Sequence, residues 1–105
     1  MFTIKQNDTS PAIRALLNDA NGNSINLIGA AVRFHMKDEW GDVIINNNAV
    51  LEDDENGIVR YDWLEGDLNV TGICYGEFEV TYEDESIETF PNDGYIKIKV
   101  IGEIA

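Results

Sequence analysis

The stretch Val32-Arg33-Phe34-His35-Met36-Lys37, closed by Asp38-Glu39-Trp40-Gly41-Asp42, decides the fold. Apolar and polar side chains alternate strictly along its first six residues. That period places Val32, Phe34 and Met36 on one face of a strand and Arg33, His35 and Lys37 on the other. The five residues that follow are turn formers, so the chain reverses there. The same period recurs outward in both directions. Phe2 and Ile4 alternate with Thr3 and Lys5; Ile13, Ala15 and Leu17 flank Arg14. Val59, Tyr61 and Trp63 alternate with Arg60 and Asp62. Phe78, Val80 and Tyr82 alternate with Glu77, Glu79 and Thr81, and Ile96, Ile98 and Val100 with Lys97 and Lys99. β-branched and aromatic residues dominate these runs, which suits a half-buried pleated surface.

Further turns are expected at Asn18–Asn23, where Asn21-Gly22 is a strong hairpin signal, at Glu52–Gly57, at Glu83–Ser86 and at Pro91–Gly94. Asn46-Asn47-Asn48 reads as a loop or bulge between two short strands. No segment of ten or more residues keeps a helical period. About seven to nine short strands separated by turns predict an all-β, antiparallel sandwich with no substantial helix. The 105 residues, without repeat or linker, predict one domain over 1–105. Its expected core is Val32, Phe34, Met36, Val59, Tyr61, Trp63, Phe78, Val80, Ile96, Ile98 and Val100.

Composition narrows the function. At 44% hydrophobic and 26% charged residues the chain has ordinary globular usage, not that of a disordered segment. Seven basic against twenty acidic residues give a net charge of −13. A phosphate backbone repels such a chain, and so does an anionic membrane surface, so neither nucleic acid nor membrane is an expected partner. No apolar run is long enough to cross a bilayer. No secretory leader is readable at the start, and a lone cysteine makes no internal disulfide, so synthesis in a reducing cytoplasm is expected.

Few residues offer chemistry. His35 is the only histidine and reads as a surface residue without catalytic or metal-binding partners. Cys74 shares the parity of Phe78 and Val80, so it should point inward and behave as a small hydrophobe. Glu52, Asp54, Asn56 and Gly57 sit at offsets resembling a calcium loop, but its twelfth position is Trp63 where a bidentate Glu is needed. Asn7-Asp8-Thr9 and Asn69-Val70-Thr71 match a sequon without a leader to give it meaning. No phosphate loop, nucleophile elbow or Cys-x-x-Cys pair is present, so neither enzyme activity nor a cofactor is expected. Trp40 is expected to fold back over one end of the sandwich; the alternative is an interface anchor. All seven basic residues fall in strand-like runs, whereas most acids fall in turns. If the strands centred on Phe34, Phe78 and Ile98 are neighbours, Arg33, His35 and Lys37 flank Glu77, Glu79 and Glu83 on one side, and Lys97 and Lys99 on the other. That would make an electrostatic seam. The candidate interface residues are Trp40, Arg33, Lys37, Glu77, Glu79, Lys97 and Lys99.

Five segments together resemble the N-terminal domain of phage baseplate upper proteins. They are Phe2-Thr3-Ile4-Lys5-Gln6-Asn7-Asp8, Leu27-Ile28-Gly29-Ala30-Ala31-Val32-Arg33-Phe34-His35-Met36, Gly57-Ile58-Val59-Arg60-Tyr61-Asp62-Trp63, Gly76-Glu77-Phe78-Glu79-Val80-Thr81-Tyr82 and Glu88-Thr89-Phe90-Pro91-Asn92-Asp93-Gly94-Tyr95. They occur in order and cover nearly the whole chain. The resemblance implies an immunoglobulin-like sandwich and a structural part of a phage or prophage tail or baseplate. Its implied partners are other tail or baseplate subunits, with a homo-oligomer left open. Family members continue into a helical stalk and a distal receptor-binding part. This chain stops at Glu103-Ile104-Ala105, so attachment or packing is the role expected of it. A cell-surface or carbohydrate-binding module, with or without calcium, is the alternative. One departure from many immunoglobulin-like sandwiches is expected: Tyr75 has outward parity, so no tyrosine corner should form at the start of its strand.

Overall fold

The computed structural model describes residues 1–105. Nine strands form in order: β1 (Phe2–Lys5), β2 (Ile13–Leu16), β3 (Ala31–Lys37), β4 (Val43–Asn48), β5 (Val50–Asp53), β6 (Ile58–Tyr61), β7 (Gly72–Thr81), β8 (Ile87–Phe90) and β9 (Ile96–Ile101). The larger sheet has the order β1-β9-β7-β3-β4, with β8 also paired to β7, and the smaller has the order β2-β6-β5. This is an immunoglobulin-like sandwich: β3, β7 and β9 are neighbours in one sheet, and β2, β6 and β5 make up the other. The chain crosses from the larger sheet to the smaller over Ala49 alone, between β4 and β5.

Alternation builds the core as the sequence predicts. Val32, Phe34 and Met36 of β3 are buried, as are Phe78 and Val80 of β7 and Ile98 and Val100 of β9. Val59 and Tyr61 of β6 and the adjoining Trp63 meet them from the other sheet. The Phe34 ring stacks on Tyr61 with centroids 4.7 Å apart, and Trp63 stands edge-on to both, at 5.8 and 5.5 Å. Edge and offset contacts of this kind add about 0.5–1.5 kcal/mol per pair to simple burial. Every polar end in the cluster is satisfied. The Trp63 indole N–H donates to the Pro11 carbonyl at 2.9 Å, and the Tyr61 hydroxyl donates to Asp67 at 2.6 Å while accepting from Asn47 at 3.1 Å. Burial, then the bond to Asp67, pushes the Tyr61 phenol up to about 12. Of the expected core only Ile96 is half-buried, because it opens β9 beside a break in the sheet edge.

Four local expectations are corrected. The sandwich is not wholly antiparallel: β1 runs parallel to β9, with Phe2 opposite Ile98 and Lys5 opposite Ile101. Asn46-Asn47-Asn48 is no loop but the second half of β4, paired with β3. Asn18–Asn23 is a tight turn, yet it closes only one bridge, Asn18 to Ser24. The runs on either side of it belong to different sheets and cannot pair. Pro91–Gly94 does not reverse the chain either. Both β8 and β9 pair antiparallel with β7, β8 along Phe78–Thr81 and β9 along Gly72–Gly76. Extending the register of Phe78 with Phe90 would set residue 92 opposite Gly76, but Ile96 stands there. The segment is therefore a four-residue jog along the strand path that flanks β7. Phe90, Pro91 and Ile96 at the jog face Ala15–Leu17 across an open apolar notch of about 300 Å³.

Candidate functional site: the outer face of the larger sheet

The odd-numbered side chains of β3, β7 and β9 point away from the core. Arg33, Lys37, Glu77, Glu79, Lys97 and Lys99 thus share one sheet face, as the alternation predicts. Register decides which of them meet. Arg33 stands opposite Glu79 and His35 opposite Glu77 across β3 and β7. Lys97 stands opposite Tyr75, and Lys99 opposite Ile73, across β7 and β9. β9 pairs only with the first half of β7, so its lysines never reach the glutamates. Glu83 lies beyond the end of β7, in the turn against Gly29.

The seam accordingly contracts to one contact. His35 Nδ1 lies 3.0 Å from Glu77 Oε2, an ion pair whenever the imidazole is protonated. His35 is half-buried and partnered, not the free surface residue its parity suggested. Arg33 turns toward β4 instead of Glu79. Its guanidinium donates to the Asn48 side chain at 2.8 Å and to the side chain and backbone oxygens of Asn46 at 2.8 and 2.9 Å. The asparagine run that read as a loop is what holds this arginine.

Beyond His35 the face becomes aromatic. Tyr75 and Tyr95 lie with ring centroids 5.8 Å apart and planes at 59°. The Lys37 ammonium sits 4.3 Å from the centroid of Tyr95 and 6.0 Å from that of Tyr75, within cation–π range. A shallow open depression of about 290 Å³ lies among Lys37, Val43, Tyr75, Tyr95, His35 and Glu77. Tyr75 takes no part in a tyrosine corner; its ring is outside, against Tyr95. Parity marks Tyr75, and with it Tyr95, as outward-facing, but only the register across the jog brings the two together.

Trp40 departs from the favoured expectation. It does not cap the sandwich: it projects from the β3–β4 turn with 81% of its surface exposed. The turn explains why. The Asp38 carboxylate accepts from the backbone N–H groups of Trp40 and Asp42, at 2.9 and 3.0 Å, which fixes the tip away from the core. Exposed Val43 follows it. Cys74 is 1% exposed, facing inward as expected. Burial pushes its thiol up, and the negative charges of Asp38 and Glu39 push in the same direction. The acidic loop weighed as a calcium site is differently occupied: Glu52 binds Arg14 and Arg60, and Arg14 in particular holds its carboxyl below the usual range. No three carboxylate, histidine or cysteine side chains gather closely enough to hold a metal ion.

The fold is thus an immunoglobulin-like sandwich with lysines and the Tyr75–Tyr95 pair on the outer face of its larger sheet. The chain matches the BppU N-terminal domain over residues 2–90, and it belongs to that family, the N-terminal domains of baseplate upper proteins. It is thus a component of a phage tail or baseplate. Among solved structures it is similar to the N-terminal domain of phage TP901-1 ORF48, with 16% identity and a TM-score of 0.60 over 98% of this chain and 84% of that one. It is also similar to CopC from Methylosinus trichosporium OB3b, with 13% identity and a TM-score of 0.57 over 99% of this chain and 86% of that one. At such identities the likeness is one of fold. No curated protein matches the sequence.

Proposed function

We propose that residues 1–105 act as one non-catalytic domain that attaches or packs other tail and baseplate subunits in the virion of a tailed phage or prophage, after synthesis in the host cytoplasm. Family membership over residues 2–90 carries this reading. The outer face and the turn after β3 support it, since exposed Trp40 and the Tyr75–Tyr95 pair are residue types enriched at interfaces, and lysines suit a polar rim. On this reading Trp40, Lys37, Lys97 and Lys99 touch a partner. Arg33, Glu77 and Glu79 shape the surface beside them. The absence of catalysis is supported by a thiol that is buried and raised and by an imidazole engaged with a carboxylate, which leaves no nucleophile–base pair.

The test is made on gradient-purified particles of the phage or prophage that encodes the chain. The chain should co-purify with tails, and Trp40→Ala combined with Lys37→Glu should lower its incorporation at least tenfold while its circular dichroism stays unchanged. Particles that assemble without the chain would refute the reading.

A carbohydrate-binding role is the second reading, favoured by the exposure of Trp40 beside an acidic turn. Tyr75 and Tyr95 argue against it. They are tilted by 59°, so they form no flat platform, and Lys37 occupies the space over Tyr95 where a sugar would stack. Titration of purified host wall polysaccharide against tryptophan fluorescence, with and without calcium, should leave the emission unchanged. A saturable change lost in Trp40→Ala would favour sugar binding instead.

A further inference from the structure

The cations divide by sheet. Arg14 and Arg60, on the smaller sheet, are paired with Glu52 and Asp62. The other five, Lys5, Arg33, Lys37, Lys97 and Lys99, lie on the larger sheet, and none has a carboxylate within 4.0 Å. Arg33 is taken up by asparagines, so four ammonium groups remain without an anion. Acids outnumber bases 20 to 7, so carboxylates are not scarce; yet even Asp38, Glu39 and Asp42 of the β3–β4 turn, next to Lys37 in sequence, come within 4.0 Å of no lysine.

The lysines gather in one half of the face. Lys97, Tyr75, Lys37 and Val43 form one rung across β9, β7, β3 and β4, and Lys99 stands next along, between Thr3 and Ile73. No carboxylate side chain belongs to these rungs. The apolar groups among them are the exposed Tyr95 and Val43, with Trp40 at the same end of the sheet. The far end of β7, six residues or about 20 Å beyond Tyr75, carries acids and no cation. There the β7–β8 turn carries Glu83, Asp84 and Glu85, and the end of β5 with the turn after it carries Asp53, Asp54 and Glu55. The segment between them joins the two turns: the Leu27 N–H donates to the Asp54 carbonyl at 2.7 Å, and Gly29 abuts Glu83. Neither turn contains a lysine or arginine.

We propose that the lysine-bearing half of the outer face is a docking surface for the acidic tip of a second copy of this chain, so that copies pack face to tip. This deepens the packing role above by naming one partner, and rests on it. Charge complementarity selects the occupant, since the anion the lysines lack is displayed at the other end of the same 45 Å molecule. The contact is heterologous: each copy keeps one free face and one free tip, and repetition builds a ring or an open row. Salt acts in two directions. Two bodies of charge −13 repel when screening is weak, whereas the local contact is screened away near 1 M, where the Debye length is about 3 Å. Association is therefore strongest near physiological salt, where that length is about 8 Å.

Sedimentation equilibrium of the purified chain, from micromolar to millimolar and at low, physiological and molar NaCl, tests this. Association should peak at intermediate salt. It should weaken at least tenfold in Lys37→Glu/Lys97→Glu/Lys99→Glu, and equally in Glu83→Lys/Asp84→Lys/Glu85→Lys. Mixing the two variants should restore it, because the reversed face then meets the reversed tip. Where the triple lysine variant fails to fold, the exposed Lys97→Glu alone carries the test. A chain that stays monomeric at every salt, or one whose association ignores both reversals, overturns the proposal. Because the readout is the free chain, a monomeric result leaves incorporation into particles unaffected, and a failure of incorporation leaves this result standing.

Discussion

Gly76 sits on the inner face of β7, buried where its neighbours leave no room for a side chain. A Cβ added there would lie 2.9 Å from Ile98 Cδ1 and 3.1 Å from both Phe34 Cε1 and Cζ. Carbon atoms are comfortable at about 3.5–4.0 Å, so both sides are too close by roughly half an ångström or more. The Ile98 terminal methyl can rotate away. The Phe34 ring cannot, because Tyr61 stacks on it at 4.7 Å and Phe78 lies at 5.1 Å. Overpacking of this kind costs about 1–3 kcal/mol. Alanine also stiffens the unfolded chain, which returns about 0.4–1 kcal/mol. At the midpoints of these ranges Gly76→Ala should therefore lose about 1.3 kcal/mol in total, a fall of roughly 5–10 °C in Tm by the usual conversion for a domain of this size. The assay is urea unfolding followed by the fluorescence of buried Trp63, with an unchanged m value as the sign that only stability moved. Gly102→Ala is the control: the nearest atom to its Cβ would be 3.8 Å away, so stability should hold or rise slightly. A Gly76→Ala protein as stable as the parent would mean that the aromatic cluster yields, and that the packing reasoning fails.

Trp63→Ala should cost about 3–5 kcal/mol, since it empties space against Phe34 and Tyr61 and orphans the Pro11 carbonyl; a loss below about 1 kcal/mol in denaturant would contradict its core position. Stability should be independent of the phenols up to about pH 10 and fall between about pH 10 and 12, because Tyr61 and Tyr82 are both pushed up to about 12 when folded and ionise earlier when unfolded. Tyr61→Phe should flatten that fall, read as urea midpoints at pH 9 and pH 11.5; an equally steep fall in the variant would assign the effect elsewhere. Cys74 should react with a disulfide reagent only as fast as the domain opens, and fully in denaturant, so rapid labelling of the native chain would overturn its burial.

Parity along single strands was legible throughout, because burial on one face imposes a period of two whatever the partner. Val32 through Met36 and Phe78 through Val80 needed nothing more. What parity does not carry is registration between distant strands. It placed Glu77 and Lys97 on one face correctly, yet could not show that the jog keeps them on separate rungs. Turn chemistry failed in a related way. Asn21-Gly22 and Pro91–Gly94 are real departures from extended chain, but whether a turn joins partners, switches sheets or only steps aside depends on what lies beyond it. Trp40 was misplaced because large aromatics are usually covered, whereas here a local Asp38 cap outweighs that tendency. The aromatic depression was missed because Tyr75 comes from β7 and Tyr95 from the segment between β8 and β9, which meet only through the register after the jog.

The parallel pairing of β1 with β9 joins residues 96 positions apart. On the ribosome, at about 5–20 residues per second, β1 emerges some 5–20 s before the strand that will receive it. In that interval Phe2 and Ile4 have no sheet to cover them, and loop closure across so long a span offers no early reward. The larger sheet can grow outward from β3 and β7 while synthesis continues, but β1 joins it only once β9 has left the ribosome. β1 is thus the last strand to be covered, and nascent chains should engage trigger-factor-type holdases through their first residues until β9 arrives.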